Sequence, residues 1–123
     1  MKMHPQSAYV SLNKQEAIVR AIINGRRYDT SSAVLIGEAG YCGPKADLQW
    51  WEAGLYKTPR AERYFIAGAG NAMTRWGQRT SNKGRIGGFG IFPMERDEAL
   101  EWAERYLTVE QIEAGFAVVM EAA

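Results

Sequence analysis

The residue pattern predicts an α+β domain: an antiparallel sheet of four or five strands, with an N-terminal helix and two C-terminal helices packed on one face. Three observations lead there. Short runs rich in β-branched and aromatic residues, punctuated by Asn-Gly, Gly/Pro and Thr-Pro signals, fill the first two thirds of the chain. After Pro93 the apolar spacing changes to the helical i, i+3, i+4 period. At 123 residues, 46% of them apolar, the chain supports one hydrophobic core and not two ordinary domains.

The elements follow in order. Residues 1 to 12 show no periodicity and read as a flexible tail, with residues 13 to 123 as a single α+β domain. Two patterns overlap next. Asn13 with Glu16 resembles a capping box, and Ala17, Ile18, Ala21 and Ile22 recur at helical spacing from Lys14. Ala21 to Ile23 and Arg26 to Tyr28 flank Asn24-Gly25, the dipeptide suited to a type I′ hairpin. The reading adopted is a helix ending near Arg20, then a hairpin, a single turn capped by Asp29 to Ser32, and a strand over Val34 to Glu38. Gly40, Gly43 and Pro44 open a loop reaching Ala46. A long hairpin over Asp47 to Lys57 and Arg63 to Ala67, turning at Thr58 to Ala61, forms the centre of the sheet. Trp51 and Leu55 fall on one parity of its first strand, Trp50 and Tyr56 on the other, so both faces need cover.

A glycine-loosened strand over Ile86 to Phe92 ends at Pro93. Ala99, Leu100, Trp102, Ala103, Tyr106 and Leu107 then define an amphipathic helix whose acidic first turn suits the helix dipole. Thr108 with Gln111 restarts a helix by the capping-box rule, with Ile112, Phe116, Val119 and Met120 as its apolar face.

Charge is unevenly placed. Residues 71 to 94 carry Arg75, Arg79, Lys83 and Arg85 and no acid, whereas residues 95 to 123 carry eight acids against Arg96 and Arg105. The formal net charge of +1 therefore hides two opposite patches. Arg75, Trp76, Arg79, Lys83 and Arg85 combine phosphate-pairing cations with one ring able to stack a base. Asp97, Glu101 and Glu104 recur at i, i+4 and i+7, a carboxylate row that is ordinarily the watered side of a helix and otherwise a contact for a basic groove. These eight residues are the candidate partner-binding set. Whether Trp50, Trp51, Trp76 and Trp102 are core or contact residues is open at this level.

Several chemistries are poorly served. The glycine run Gly68-Ala69-Gly70-Asn71-Ala72-Met73 lacks the third small residue of a dinucleotide fingerprint, and reads as a turn or bulge at a strand end. With one cysteine, Cys42, and one histidine, His4, neither a disulfide nor a zinc cluster of the usual soft ligands can be assembled, and no metal or other cofactor is expected. The serines, and Cys42, have only His4 in the tail as an imidazole base, so no catalytic residue is assigned and no enzyme is expected. Glu38 and Asp47 cannot be placed relative to one another from sequence. Without an apolar leader core or an eighteen-residue apolar run, the expected location is the cytoplasm, with no membrane contact.

Ile23-Asn24-Gly25-Arg26-Arg27-Tyr28-Asp29-Thr30, Leu55-Tyr56-Lys57-Thr58, Tyr64-Phe65-Ile66-Ala67-Gly68-Ala69-Gly70, Ile91-Phe92-Pro93-Met94 and Glu98 to Glu104 resemble, in order and spacing over about residues 20 to 107, a family of small proteins of plasmids, phages and integrative elements. That family keeps company with anti-CRISPR and antirestriction proteins. The resemblance implies an accessory or counter-defence role in a bacterial host; with the charged surface and the aromatic residues, the leading expectation is an inhibitor that binds a host nucleic-acid-handling complex, such as a CRISPR effector, and blocks its DNA binding or activity. The resemblance carries no catalytic residue over. Members tend to have polar or acidic residues where Ala67 and Ala69 stand here, and a Thr cap where Glu95 stands. The alanines leave a small-residue surface open to close backbone approach. The alternative is a small nucleic-acid-binding accessory protein using the basic 75–85 loop, and self-association through a sheet edge is a further open partner.

Overall fold

A computed structural model describes residues 9–12, 17–60 and 63–116. Among them nine strands and two helices run β1 (Tyr9–Leu12), β2 (Ala17–Ile23), β3 (Arg26–Asp29), β4 (Val34–Gly40), β5 (Trp51–Lys57), β6 (Tyr64–Gly70), β7 (Gln78–Arg79), β8 (Arg85–Ile86), β9 (Gly88–Met94), α1 (Arg96–Tyr106) and α2 (Val109–Phe116). β4-β5-β6-β9 form the main antiparallel sheet, β1-β2-β3 a second, and β7-β8 a short ribbon. The α+β class and the C-terminal helices agree with the sequence reading.

The N-terminal helix does not. Residues 17 to 20 lie in β2, paired with β1 on one side and β3 on the other; Lys14 to Glu16 lie outside the described residues. Both periods were present in the sequence, and pairing decided between them. Ile18, Val19, Ile22 and Ile23 are β-branched, and the strand period puts Val19, Ala21 and Ile23 on one face, with Ala21 and Ile23 buried. Asn24 at φ 53° and Gly25 at φ 75° make the expected tight turn. Tyr9–Leu12 is likewise a strand, where an unpaired tail was expected as far as residue 12.

Alternation along β6 splits the core in two. Tyr64 and Ile66 face α1 and α2 with Leu55, Phe92, Ala99, Ala103 and Phe116. Phe65 and Ala67 face the other way, onto Ala21, Ile23, Tyr28 and Ile91. Phe65 is fully buried between an edge-on Tyr28 at 5.4 Å and a stacked Tyr56 at 5.2 Å. The second face that the aromatic parity required to be covered is therefore covered, in part, by the chain's own β2 and β3. Three boundaries move. β5 begins at Trp51 instead of Asp47, because the Asp47 carboxylate accepts the Gln49 N–H at 2.8 Å and its carbonyl the Trp50 N–H at 3.0 Å, closing a turn. β6 runs through Gly68 and Gly70, which pair with both β5 and β9, so this glycine run is central sheet and not a terminal turn. β9 continues past Phe92 to Met94; as an edge strand it tolerates Pro93, whose missing N–H is needed only on a side facing another strand. The predicted start of the last helix holds, and α1 opens on a capping box that the sequence reading did not name. The Glu95 N–H donates to Glu98 at 2.9 Å, and Thr108 and Gln111 exchange hydrogen bonds at 3.0 and 3.2 Å.

The turn after β3 is locked by Asp29, the buried acid of the second core. Its carboxylate accepts the Ser31 hydroxyl at 2.7 Å and the Ser31 N–H at 2.9 Å, and pairs with Arg27 at 3.2 Å and Arg20 at 3.6 Å. Burial pushes the carboxyl up, but the Ser31 hydrogen bonds, then Arg27 and Arg20, together outweigh it and hold Asp29 below the usual aspartate range. A depressed folded-state value contributes stability that is present above the unfolded value, near pH 4, and lost as pH falls through the folded one. Asp29→Asn is accordingly expected to destabilise by about 1–3 kcal/mol at pH 7 and to flatten stability loss below about pH 4. Urea midpoints from pH 7 down to pH 2 check this; an acid limb identical to the parent's would show that Asp29 is not the titrating lock.

Candidate functional site

Five aromatic residues, three of them tryptophans, gather where the 71–76 loop meets α1. Trp76, 2% exposed, is the base of the cluster: its ring stacks on Trp51 at 6.0 Å and meets Phe92 edge-on at 5.9 Å, and its Nε1–H points to the Gly90 carbonyl at 3.4 Å. Trp51 in turn touches Trp102 at 6.3 Å and Tyr106 at 5.1 Å, and those two rings are 5.0 Å apart. Trp102 and Tyr106 are i, i+4 neighbours on α1, which stacks them one above the other on a single face.

Above this floor lies an open groove of about 540 Å³. Its walls carry Arg75 from the loop and Glu98, Glu101 and Arg105 from α1. The Arg75 guanidinium carbon sits 4.5 Å over the Phe92 ring. Arg75 is exposed as a residue, and the partial desolvation of its guanidinium against the ring lowers its pKa from the usual arginine value, partly opposed by the charge of Glu98 and by Tyr106. Among the described residues the ion pairs are those of Asp29 with Arg20 and Arg27, so none of the four groove charges is committed to another. The Tyr41 hydroxyl at the groove mouth donates to Asp47 at 3.0 Å, which pushes its phenol up.

The loop wall is built rigidly. The Asn71 side-chain amide donates to the Lys45 carbonyl at 2.8 Å and the Asp47 carbonyl at 2.7 Å, while the Asn71 and Met73 N–H groups bond Trp50 and Leu48. Thr74 closes the turn that delivers Arg75 and Trp76, accepting the Trp76 N–H at 3.2 Å. Loops 41–50 and 71–76 thus form one hydrogen-bonded platform beside the helix.

The eight sequence-selected residues part company. Arg75 and Glu101 share the groove, and Trp76 is its base, buried and so unable to stack a base; its role as a contact residue is corrected to core. Arg79, Lys83 and Arg85 lie on the separate β7-β8 ribbon. Asp97 and Glu104 are exposed on α1 outside the groove lining. Of the four tryptophans, Trp51 and Trp102 are half-buried in the cluster, and Trp50 lies under Lys45 at 5.1 Å. Sequence reasoning missed Trp51, Tyr106, Glu98 and Arg105. The last three were legible as Glu98, Glu101 and Arg105 at i, i+3 and i+7 alongside Trp102 and Tyr106 at i, i+4, a striped helix face hidden behind the more conspicuous acidic row.

Glu38 and Asp47 do not meet. Glu38 lines a trough of about 920 Å³ on the opposite side of the sheet, with Gly54, Ala67 and Ala69, the small-residue surface expected from the alanines. Cys42 is exposed, and His4 lies outside the described residues. Among the described residues no cluster of three acid, histidine or cysteine side chains is placed to hold a metal, and no helix is long and apolar enough to cross a membrane. Comparison with family models, with curated proteins and with solved structures gave no match in any of the three.

Proposed function

We propose that the chain is a mobile-element-encoded inhibitor that binds a host nucleic-acid-handling complex, such as a CRISPR effector, and blocks its DNA binding. The observation that carries the binding part is the groove: two guanidinium groups and two carboxylates, uncommitted to each other, over a floor of Trp51, Trp102 and Tyr106. Arginine and aromatic side chains are the usual energetic anchors of protein interfaces, and charges of both signs favour a protein surface over a uniformly anionic polymer. The hydrogen-bonded loop platform keeps the wall in place before a partner arrives, which limits the ordering cost of association. The choice of target rests on the sequence resemblance to mobile-element proteins. The activity needs no catalytic group, only occupancy of a surface the DNA requires.

The test is direct. Purified protein mixed with effector complexes from the same host should co-elute at near-equimolar ratio and abolish target-DNA binding once the effector is saturated. No complex with any of them at micromolar concentration would sink the reading. The alternative, a nucleic-acid accessory protein using the 75–85 loop, loses Arg75 to the groove and Trp76 to the core; what remains of it is the ribbon's three cations.

A further inference from the structure

The β7-β8 ribbon has a defect that packing does not explain. Its two pairs are Gln78 opposite Ile86 and Arg79 opposite Arg85. Directly opposed residues of an antiparallel pair project from the same face with Cβ atoms about 5 Å apart, and like charges there are destabilising. No acid lies between residues 71 and 94, and among the described residues neither arginine makes an ion pair. One of the two side chains is held in place. The Arg85 Nε–H donates to the Ala72 carbonyl at 2.9 Å, which fixes the guanidinium beside the platform with its other N–H groups available. The connecting turn is closed by Thr80, whose N–H donates to the Gly84 carbonyl at 2.9 Å and whose hydroxyl accepts the Gly84 N–H at 3.1 Å. Lys83 sits at the tip at φ 64°, a backbone region ordinarily left to glycine or asparagine, so a third cation occupies a strained position.

We infer that the ribbon of Arg79, Lys83 and Arg85 is a binding site for the phosphodiester backbone of duplex DNA, separate from the groove. An anion between the two arginines converts their repulsion into shared attraction, and three cations on a narrow two-stranded ribbon suit adjacent phosphates. Base readout has no support, since the ring beside the cations, Trp76, is buried; the contact is sequence-independent. A duplex is favoured over a single strand for the same reason, because single-strand binding relies on rings that stack bases.

The experiment measures binding of the isolated full-length chain to a mixed-sequence duplex across a salt series, with inorganic phosphate and anionic lipid vesicles as separate probes. The log of the affinity should fall with log salt at a slope of about −2.7, three contacts at about 0.9 each. Arg79→Ala and Lys83→Gly should each make the slope shallower by about 0.9; the glycine keeps the turn, since it accepts positive φ without strain. Arg79→Glu should abolish duplex binding while raising the melting temperature, because it replaces a repulsive cross-strand pair with an attractive one. Arg60→Ala, an exposed cation on another turn, should change neither. Three results overturn the inference: no duplex binding at about 50 mM salt, duplex binding unaffected by Arg79→Glu, or binding to phosphate or vesicles without binding to duplex. None of them bears on the groove, whose test is complex formation with a protein.

Discussion

Replacing Trp76 by alanine is expected to lower the free energy of unfolding by about 3–5 kcal/mol, the usual penalty for emptying a buried aromatic site. Trp76 is 2% exposed and is shared by three neighbours: Trp51 stacked, Phe92 edge-on and the Gly90 carbonyl at its ring nitrogen. Collapse cannot easily fill the space, because Trp51 and Phe92 stand on strands β5 and β9 and are fixed by the sheet. Against a domain stability of about 5–15 kcal/mol the loss is large enough to put part of the population in the unfolded state. Trp76→Phe keeps a ring against both neighbours and should lose much less. Urea unfolding followed by far-ultraviolet circular dichroism measures both. A Trp76→Ala loss under about 1 kcal/mol, the level of ordinary surface changes or little more, would show that the indole is not the base of the cluster.

Tyr106→Ala is expected to weaken partner binding by at least about 30-fold, or about 2 kcal/mol, while leaving most of the stability intact. The asymmetry follows from position. Tyr106 is 40% exposed and rests on Trp51 and Trp102, so its outer face is the surface offered to a partner and its inner face a modest packing contact. Arg75→Ala should act in the same direction, since its guanidinium is already partly desolvated over Phe92 and loses little more on binding. Glu104→Ala, on the same helix but outside the groove, should leave affinity within about twofold, as rim charges do. Affinity by calorimetry with the effector complex, alongside thermal melts, separates the two effects. Equal losses from Glu104→Ala and Tyr106→Ala would move the contact to the outer acidic row.

Legibility varied with the range of the interaction that decides each element. The Asn24-Gly25 turn, the Thr108-Gln111 capping box and the loop at Gly40 to Pro44 were read correctly because each is settled within four or five residues. The segment from Ala17 to Arg20 was misread because its apolar residues satisfy a helical and a strand period alike, and the tie is broken by β1 and β3, which lie outside any local window. Gly68 and Gly70 were misread in the same way: local propensity makes them a turn, but pairing on both sides makes them strand. The site was half legible. Arg75 and Glu101 were selected for charge and both line the groove, whereas Trp51 and Tyr106 join it through contacts between β5 and α1.

By itself the sequence determined the α+β class, the Asn24-Gly25 turn, the Thr108 cap and the charge reversal at Met94 and Glu95, all of which depend on residues close together in the chain. The tertiary structure decided where the charges go. Basic and acidic patches that are adjacent in sequence do not form one two-signed surface: Arg75 turns in to face Glu98 and Glu101, while Arg79, Lys83 and Arg85 project on a ribbon of their own. The reason is the buried Trp76 between them. Anchoring that indole under Trp51 and Phe92 pins the chain at one point, sends the residue before it into the groove and leaves those beyond it to form the ribbon, and no local pattern states which rings an indole will meet.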